Sequence, residues 1–225
     1  MLIVNRHCYY SGASANKARP AGFGREELFR TLIQGLDPKD KLVILLDDKY
    51  KSADDHFVLK YRGLYEIQSI SVGSEGASFL SALERAATSS EKQVYFVEDD
   101  YSHAPNWRKI LDEGLRLNPN GFVTLYDHPD KYRDYPWLAS SLYLSESCWW
   151  RSTPSTTNTY ACNTDALRKN LKIHSSHSQA PISTDHAKFL ELAQHGQFVI
   201  SSIPGYSSHV ESGNESPFYD RHPNC

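Results

Sequence analysis

The chain has 225 residues, of which 40% are hydrophobic and 23% are charged, as is ordinary for a globular protein with one sizeable core. Its formal net charge of -3 argues against nucleic acid as the main partner, because phosphate backbones bind to basic surfaces. No stretch reaches the roughly 20 apolar residues that a transmembrane helix needs.

The first half of the chain alternates predicted strands and helices. The apolar run Leu2–Asn5 predicts a first strand, and a polar loop over residues 7–24 follows it. Periodicity and turn residues then predict, in order, a helix over Arg25–Leu36, strands over Lys41–Leu46 and Tyr65–Val72, a helix capped by Ser74 and running to about Ala87, a strand over Gln93–Val97, a helix opened by Pro105, and a strand over Phe122–Tyr126. This rhythm predicts an α/β fold, a sandwich of helices on both faces of a mostly parallel sheet.

The second half is less regular. Residues 138–143 and 148–151 are predicted to be strands of a smaller antiparallel portion. Helices are predicted over Thr164–Leu171 and from a cap at residues 183–185 through Gln194, before a short strand over Phe198–Ser201. We expect one domain over residues 1–212 and a loosely ordered tail over residues 213–225, which is rich in Ser, Asn and Pro.

The start of the chain and its cysteines bear on the compartment. The apolar stretch at residues 1–4 is too short for a secretory signal, and Arg6 brings a charge close behind it. The four cysteines are scattered, with no CxxC pair. We therefore expect reduced thiols and a cytoplasmic protein.

Three consecutive carboxylates, Glu98, Asp99 and Asp100, follow the apolar run Val94–Val97. Such groups repel one another unless a cation or a ligand compensates them. The carboxyl edge of an open α/β sheet is also where ligands bind. The triplet is interpreted as a Mg²⁺ or Mn²⁺ site that holds nucleotide phosphates, and the alternative is a solvated acidic turn.

Three further positions have a chemical and a purely structural interpretation. Asp47 ends another apolar strand, where it could bind a ribose or a base or could close an Asx turn with Asp48. Asp185 begins a helix, where it could act as a general base or could simply be stabilised by the positive end of the helix dipole. His209 follows a Pro-Gly turn, and it could be a metal ligand or one surface histidine of ten.

In this order the elements resemble a glycosyltransferase of the GT-A type, over roughly residues 1–212. The resemblance is nearest to small stand-alone transferases of bacterial and large-virus type. The strings that carry it are Arg6-His7, Arg19-Pro20, Val97-Glu98-Asp99-Asp100-Tyr101, Arg151 to Thr157 and Pro204 to His209. GT-A enzymes have a nucleotide-binding αβα sandwich and a metal site called the DXD motif. Glu98-Asp99-Asp100 stands in the place of that motif, with Glu departing from the strict pattern.

The resemblance implies a Mn²⁺ or Mg²⁺ cofactor. Asp100 would coordinate the metal directly, Glu98 would do so through water, and His209 would complete the site. The metal would neutralise charge on the departing nucleoside diphosphate.

The resemblance also assigns roles in substrate binding. Asp99 would face the ribose or the donor sugar, Asp47 the base or ribose, and Arg6 and His7 would line the nucleotide pocket. Asp185 would be the general base of an inverting transfer. UDP is the commonest donor nucleotide of the class, and the acceptor would be a hydroxyl of a glycan or another molecule.

These roles divide the domain into a nucleotide-binding part at about residues 1–126 and an acceptor-binding part at about residues 127–212. Asp127 follows a predicted core strand, so it is expected near the ligand edge, binding the donor sugar or the acceptor. Trp149 and Trp150 could stack on a sugar or pack in the core.

Two other functions stay open. A sugar nucleotidyltransferase would share the sheet and the carboxylates, and the loop over residues 11–17 loosely matches its Gly-rich basic phosphate loop. A non-catalytic nucleotide- or carbohydrate-binding module is the third possibility.

Overall fold

The computed structural model describes residues 1–53, 55–135 and 137–219. Within these ranges the strands are β1 (Leu2–Cys8), β2 (Lys41–Asp47), β3 (Glu66–Ile70), β4 (Gln93–Glu98), β5 (Tyr101–His103), β6 (Phe122–Thr124), β7 (Leu142–Leu144), β8 (Trp149–Thr153), β9 (Tyr160–Asn163), β10 (Val199–Ile203) and β11 (Ser207–His209). The helices are α1 (Gly12–Ala15), α2 (Arg25–Gln34), α3 (Glu75–Ala87), α4 (Trp107–Leu117), α5 (Asp130–Arg133), α6 (Thr164–Ser176) and α7 (Asp185–Gln194), and a 3-10 helix spans Phe57–Tyr61.

The central sheet has the strand order β3-β2-β1-β4-β9-β6-β10-β8-β7. Among the described strands of this sheet only β8 and β9 run against the others, so the predicted mostly parallel sheet is confirmed. The predicted antiparallel portion is also present, as β8 and β7 at one edge of the same sheet. A separate small sheet pairs β11 with β5.

Helices cover both faces of the sheet because successive side chains of its strands point to opposite sides. On one face Ile3 and Tyr95 pack with Phe29 of α2 and Trp107 of α4. On the other face a second cluster joins the strands to α3, α6 and α7 through Leu2, Val4, Phe96, Phe79, Leu83, Leu167 and Phe189. The αβα sandwich is therefore the observed architecture.

The structure departs from the prediction in several elements, and the short elements α1, α5, β5, β11 and the 3-10 helix were not predicted. Strand β9 was not predicted, and it lies antiparallel between β4 and β6 in the middle of the sheet. The strand predicted over residues 138–143 begins only at Leu142. The helix predicted to open at Pro105 begins at Trp107.

The described part of the tail, residues 213–219, makes hydrogen bonds to the rest of the domain. Ser216 is buried, and its Oγ donates to the carbonyl of Ser207 and accepts from the backbone N–H of Asp127. Its own N–H donates to Ser208 Oγ. The chain is therefore attached to β11 as far as Ser216, because these buried polar groups find partners there, and residues 220–225 lie outside the described residues.

The three cysteines within the described ranges, Cys8, Cys148 and Cys162, are free thiols. Among the helices that the structure describes, none combines the length and the apolar character required to cross a bilayer.

Candidate functional site

A cavity of about 290 Å³ opens at the carboxyl ends of β1, β2 and β4. Its walls come from those strand ends, from the loop at residues 10–17, from the turn at residues 73–75 that leads into α3, and from Pro181 and Ile182 before α7. The strand ends meet because β1 lies between β2 and β4 and runs parallel to both. Arg6, His7, Asp47 and the acidic triplet all line this cavity, as the sequence predicts for the ligand edge.

Arg6 is a buried cation in the cavity wall. Its Nη1 lies 3.1 Å from Glu75 Oε1, and its Nη2 lies 3.1 Å from Glu98 Oε1. Burial acts to lower the pKa of Arg6, but the two carboxylates outweigh it and raise that pKa. Arg6 is therefore a fixed positive charge held between two elements of the site.

Glu75 is a site residue that the sequence analysis missed. Besides Arg6, its carboxylate accepts hydrogen bonds from Asn158 Nδ2 at 2.9 Å and from the backbone N–H of Ser183 at 2.8 Å. Burial acts to raise the pKa of Glu75, but Arg6 and Ser183 prevail and lower it. Glu75 therefore ties the cavity to the segment that leads into α7.

Asp185 begins α7, as predicted, and its carboxylate lies within a charged network. Oδ1 accepts a hydrogen bond from Lys188 Nζ at 3.1 Å, and Lys188 itself is fully buried beside Asn158. Burial raises the pKa of Asp185 against the opposing effect of Lys188. A carboxylate with a raised pKa is a stronger base than a solvated one. Asp185 is not among the cavity-lining residues, although Ile182, three positions earlier, is.

The three carboxylates of the triplet point to different partners. Glu98 binds Arg6 and accepts a hydrogen bond from Thr159 Oγ1 at 3.3 Å. Asp99 lies 2.9 Å from Arg25 Nε. Burial raises the pKa of Glu98 to about 8 and that of Asp99 to about 6, in each case against the pull of the paired arginine.

Asp100 and His209 are brought into contact, as the resemblance implies. Strand β11 pairs with β5 so that His209 lies opposite Tyr101, and the two rings stack with centroids 5.0 Å apart. His209 Nε2 thereby lies 3.1 Å from Asp100 Oδ2. Burial acts to raise the pKa of Asp100, but His209, Lys17 and Arg19 outweigh it and hold that pKa well below its usual range.

Two cations from the loop between β1 and α2 share the same oxygen of Asp100. Lys17 Nζ lies 3.1 Å and Arg19 Nη2 lies 2.9 Å from Oδ2. Lys17 Nζ is also 3.0 Å from His209 Nε2 and 3.6 Å from Glu211 Oε2. The sequence analysis assigned no role to Lys17, but the loose match of residues 11–17 to a basic phosphate loop was the signal that could have found it.

The donor set around Asp100 does not fit a divalent metal as the side chains are arranged. Across the described residues, no group of three or more His, Cys, Asp or Glu side chains could hold a metal ion. Glu98 is turned to Arg6 and Thr159, and the third group at the Asp100–His209 pair is the Lys17 ammonium. An ammonium cannot ligate a metal, because it has only N–H donors.

Asp47 and His7 line the cavity with their polar atoms partly committed to the protein. Asp47 accepts hydrogen bonds from the backbone N–H groups of Lys49, Val72 and Gly73, at 3.1, 3.2 and 2.7 Å. The Asx-turn interpretation is thus correct, and it does not remove Asp47 from the cavity wall. His7 Nε2 lies 2.6 Å from Asn5 Oδ1, and burial lowers the pKa of His7 so that it stays neutral.

Asp127 lies away from the cavity wall. Its carboxylate is fully buried, where it accepts hydrogen bonds from Arg151 Nη2 and from the Tyr132 hydroxyl at 2.6 Å. It therefore offers no surface to a sugar in this arrangement. Trp150 is a core residue, whereas Trp149 is half exposed.

Comparison of the sequence with protein-family models and with curated proteins finds no match. Among solved structures, the fold is similar to that of S. aureus TarS 1-349 in complex with UDP, with a TM-score of 0.56 and 16% identity over 92% of this chain and 60% of that one. The same TarS fragment in complex with UDP-GlcNAc gives 0.56 and 14% over 92% and 58%, and another TarS structure gives 0.53 and 16% over 89% and 35%.

The chain therefore spans at most about 60% of the length of these TarS structures. The likeness extends over nearly all of this chain, and it confirms the predicted GT-A-like fold.

Proposed function

We propose that this chain is a glycosyltransferase that moves a sugar from a nucleoside-diphosphate sugar to a hydroxyl acceptor. The observation that carries the proposal is the cavity at the carboxyl ends of β1, β2 and β4, lined by Arg6, Lys17 and the acidic triplet, in a fold shared with a protein solved with UDP and UDP-GlcNAc. UDP is the donor nucleotide that this likeness favours.

The two ends of the cavity suit the two ends of a nucleotide. His7 and Asp47 lie at the ends of β1 and β2 and line the cavity together with Tyr10, and they form the base and ribose end of the proposed site. Lys17 lies at Asp100 and lines the cavity, where it forms the diphosphate end, and Arg19 supports it by binding the same carboxylate. Asp99 is held by Arg25 and would face the ribose or the sugar.

Asp185 is the proposed general base of an inverting reaction. It takes the proton of the acceptor hydroxyl, the hydroxyl oxygen forms a bond to the anomeric carbon, and the bond to the diphosphate breaks on the opposite face with its electron pair leaving on the nucleotide. Lys188 and Asn158 fix the position of the carboxylate, and its raised pKa strengthens it as a base. One displacement of this kind inverts the anomeric configuration.

The proposed acceptor is a hydroxyl of a glycan or of another molecule, and it enters from the side of α7. The predicted Mn²⁺ or Mg²⁺ ion, with Asp100, His209 and Glu98 as its ligands, stays a prediction. The side chains that surround Asp100 already include a cation, the Lys17 ammonium.

The test is calorimetric titration of nucleoside diphosphates and their sugars, followed by turnover assays with the donor that binds. We expect Asp185→Asn to lose about 10²- to 10⁴-fold in turnover, the usual contribution of a general base, and to keep its affinity for the nucleotide. Asp165→Asn, which changes an exposed carboxylate in the first turn of α6, is the matched control. Full turnover in Asp185→Asn would contradict the assigned base, and a folded protein that binds no nucleotide would contradict the proposal as a whole.

A sugar nucleotidyltransferase is the second candidate, and one observation favours it. The loop at residues 11–17 lines the cavity, as a phosphate-binding loop would. This candidate releases pyrophosphate from a nucleoside triphosphate and a sugar phosphate, whereas a glycosyltransferase releases a nucleoside diphosphate from its donor. A non-catalytic binding module would bind the nucleotide and produce neither.

A further inference from the structure

The ammonium of Lys17 lies where the GT-A resemblance puts a metal ion. It is 3.1 Å from Asp100 Oδ2 and 3.0 Å from His209 Nε2, the two atoms that were expected to ligate the metal. Glu211 Oε2, a third oxygen, lies 3.6 Å away. We propose that Lys17 is the built-in cation of this site and that it binds the diphosphate in place of a divalent ion, while Arg19 compensates the charge of Asp100.

This inference rests on the proposed function for the identity of the ligand. The occupation of the cation position by Lys17 is a separate claim about this chain, and it can be tested without any nucleotide.

The first argument is the crowding of one carboxylate oxygen. Asp100 Oδ2 has three nitrogen partners within 3.1 Å, namely Lys17, Arg19 and His209. A Mg²⁺ ion would lie at about 2.0–2.1 Å from such an oxygen, and it would then be in close contact with an ammonium and a guanidinium. Like charges at that separation repel strongly, so Lys17 must leave before a divalent ion can enter.

The second argument is that the loop carrying Lys17 is fastened in place. Arg19 Nη1 donates to the carbonyl of Val210 at 2.6 Å, and the N–H of Ser212 donates to the carbonyl of Ala18 at 2.9 Å. Arg19 Nη2 also donates to Ser14 Oγ at 2.8 Å. Ala18 and Arg19, which follow Lys17, are thus bound to the segment after β11, and Ser14, which precedes it, is bound to Arg19. These attachments deliver the ammonium to Asp100 and His209.

The third argument is that Lys17 keeps a donor for a ligand. An ammonium has three N–H donors. Asp100 Oδ2 and His209 Nε2 can accept at most two of them, because His209 Nε2 accepts from Lys17 only when it carries no proton, and Glu211 at 3.6 Å is too far for a good hydrogen bond. Lys17 also lines the cavity, so its remaining donor is available to a phosphate oxygen.

Arg19 completes the arrangement without entering the cavity wall. It binds the same Asp100 oxygen and stacks over Phe23, with its guanidinium carbon 4.5 Å from the ring centroid. With Lys17 drawn toward a phosphate, Arg19 still compensates the charge of Asp100. Asp100 therefore positions cations that belong to the protein itself. In a metal site the same carboxylate would instead ligate a metal ion.

The first experiment uses Mn²⁺ alone, followed by electron paramagnetic resonance, on the full chain, on Lys17→Met and on Lys172→Met. Lys172 is an exposed lysine of α6, so its replacement removes the same charge at a distance from the cavity. We expect the wild type and Lys172→Met to bind Mn²⁺ weakly and equally. Lys17→Met removes the ammonium from Asp100, His209 and Glu211 and leaves Arg19 on Asp100. We expect it to bind Mn²⁺ more tightly, with the gain lost again in the double variant Lys17→Met/Asp100→Asn.

The second experiment is calorimetric titration of UDP in EDTA and in Mn²⁺. We expect the wild type to bind UDP with the same affinity in both. Lys17→Met should lose about ten- to a hundredfold in EDTA, the equivalent of one charge-assisted hydrogen bond, and should recover part of the loss when Mn²⁺ is added. Lys17→Arg keeps the charge and should keep most of the metal-free affinity, and urea unfolding checks that each variant is folded.

Two results would overturn the inference. One is tight Mn²⁺ binding by the wild type that is lost in Asp100→Asn, and the other is UDP binding by the wild type only when Mn²⁺ is present. A wild type that binds no UDP in either condition would refute the proposed function instead, and the Mn²⁺ experiment would still decide whether Lys17 holds the cation position.

Discussion

Replacement of Glu75 tests whether the site is a connected network of buried charges. Glu75→Ala removes the partner of Arg6, which is only 6% exposed, and also the acceptor of Asn158 and of the Ser183 N–H. Loss of one member of a buried ion pair costs about 3–5 kcal/mol, because the other charge stays buried without compensation. Glu75 is itself 18% exposed and Arg6 keeps Glu98, so we expect a loss of about 3 kcal/mol, near the lower limit.

The assay is urea unfolding at neutral pH on the wild type, Glu75→Ala, Glu75→Gln and Glu84→Ala. The glutamine keeps one carbonyl acceptor, and we expect an intermediate loss of about 1–2 kcal/mol. Glu84 is an exposed residue of the same helix, and its replacement should change the free energy of unfolding by less than about 0.5 kcal/mol. A loss below about 1 kcal/mol in Glu75→Ala, as for a solvent-exposed ion pair, would refute the network.

Two further predictions concern the core. An added Cβ at Gly114 would lie 2.5 Å from Trp150 and 2.6 Å from Val123, so Gly114→Ala should destabilise the fold by about 1–3 kcal/mol in the same assay. An added Cβ at Gly12 would meet nothing within 4 Å, so Gly12→Ala should not destabilise the fold. Equal free energies of unfolding for the two variants would contradict this packing argument. Burial lowers the pKa of His103 to about 3, so below about pH 6.5 the unfolded chain takes up a proton at this residue that the folded chain refuses. The stability of the wild type relative to His103→Gln should therefore fall with decreasing pH, approaching about 1.4 kcal/mol per pH unit below pH 6, and a difference that stays constant from pH 7 to pH 5 would count against this account.

The local pattern of the sequence was sufficient where one element encodes its own structure. Ser74 was predicted to cap a helix, and its Oγ accepts from the N–H of Ala77 at 3.3 Å at the start of α3. The apolar runs of β1, β2 and β4 were likewise recognisable, because strands buried on both faces read as continuous hydrophobic segments. Strand β9 has only four residues and runs against its neighbours, and no local signal marks it.

The sequence likewise predicted one part of the candidate site and missed another. The side chains at the strand ends were predicted because parallel neighbours end at one edge of a sheet, and Arg6, His7, Asp47 and the triplet do line one cavity there. Asp127 was placed at that edge by the same reasoning, but its hydrogen bonds with Arg151 and Tyr132 hold the carboxylate in the interior. Position along a strand sets the edge to which a residue belongs, and side-chain packing sets the direction in which it points.

Periodicity and the residues at strand ends by themselves determined the α/β class, the edge of the sheet at which the cavity opens and most of the acidic groups there. Only the tertiary structure decided what those acidic groups bind. Lys17 meets Asp100 across 83 residues and His209 across 192, and Glu75 meets Ser183 across 108. Contacts at such separations depend on how the loops pack over the sheet, which no local pattern encodes, and here that packing sets a lysine against the carboxylate that the sequence assigned to a metal.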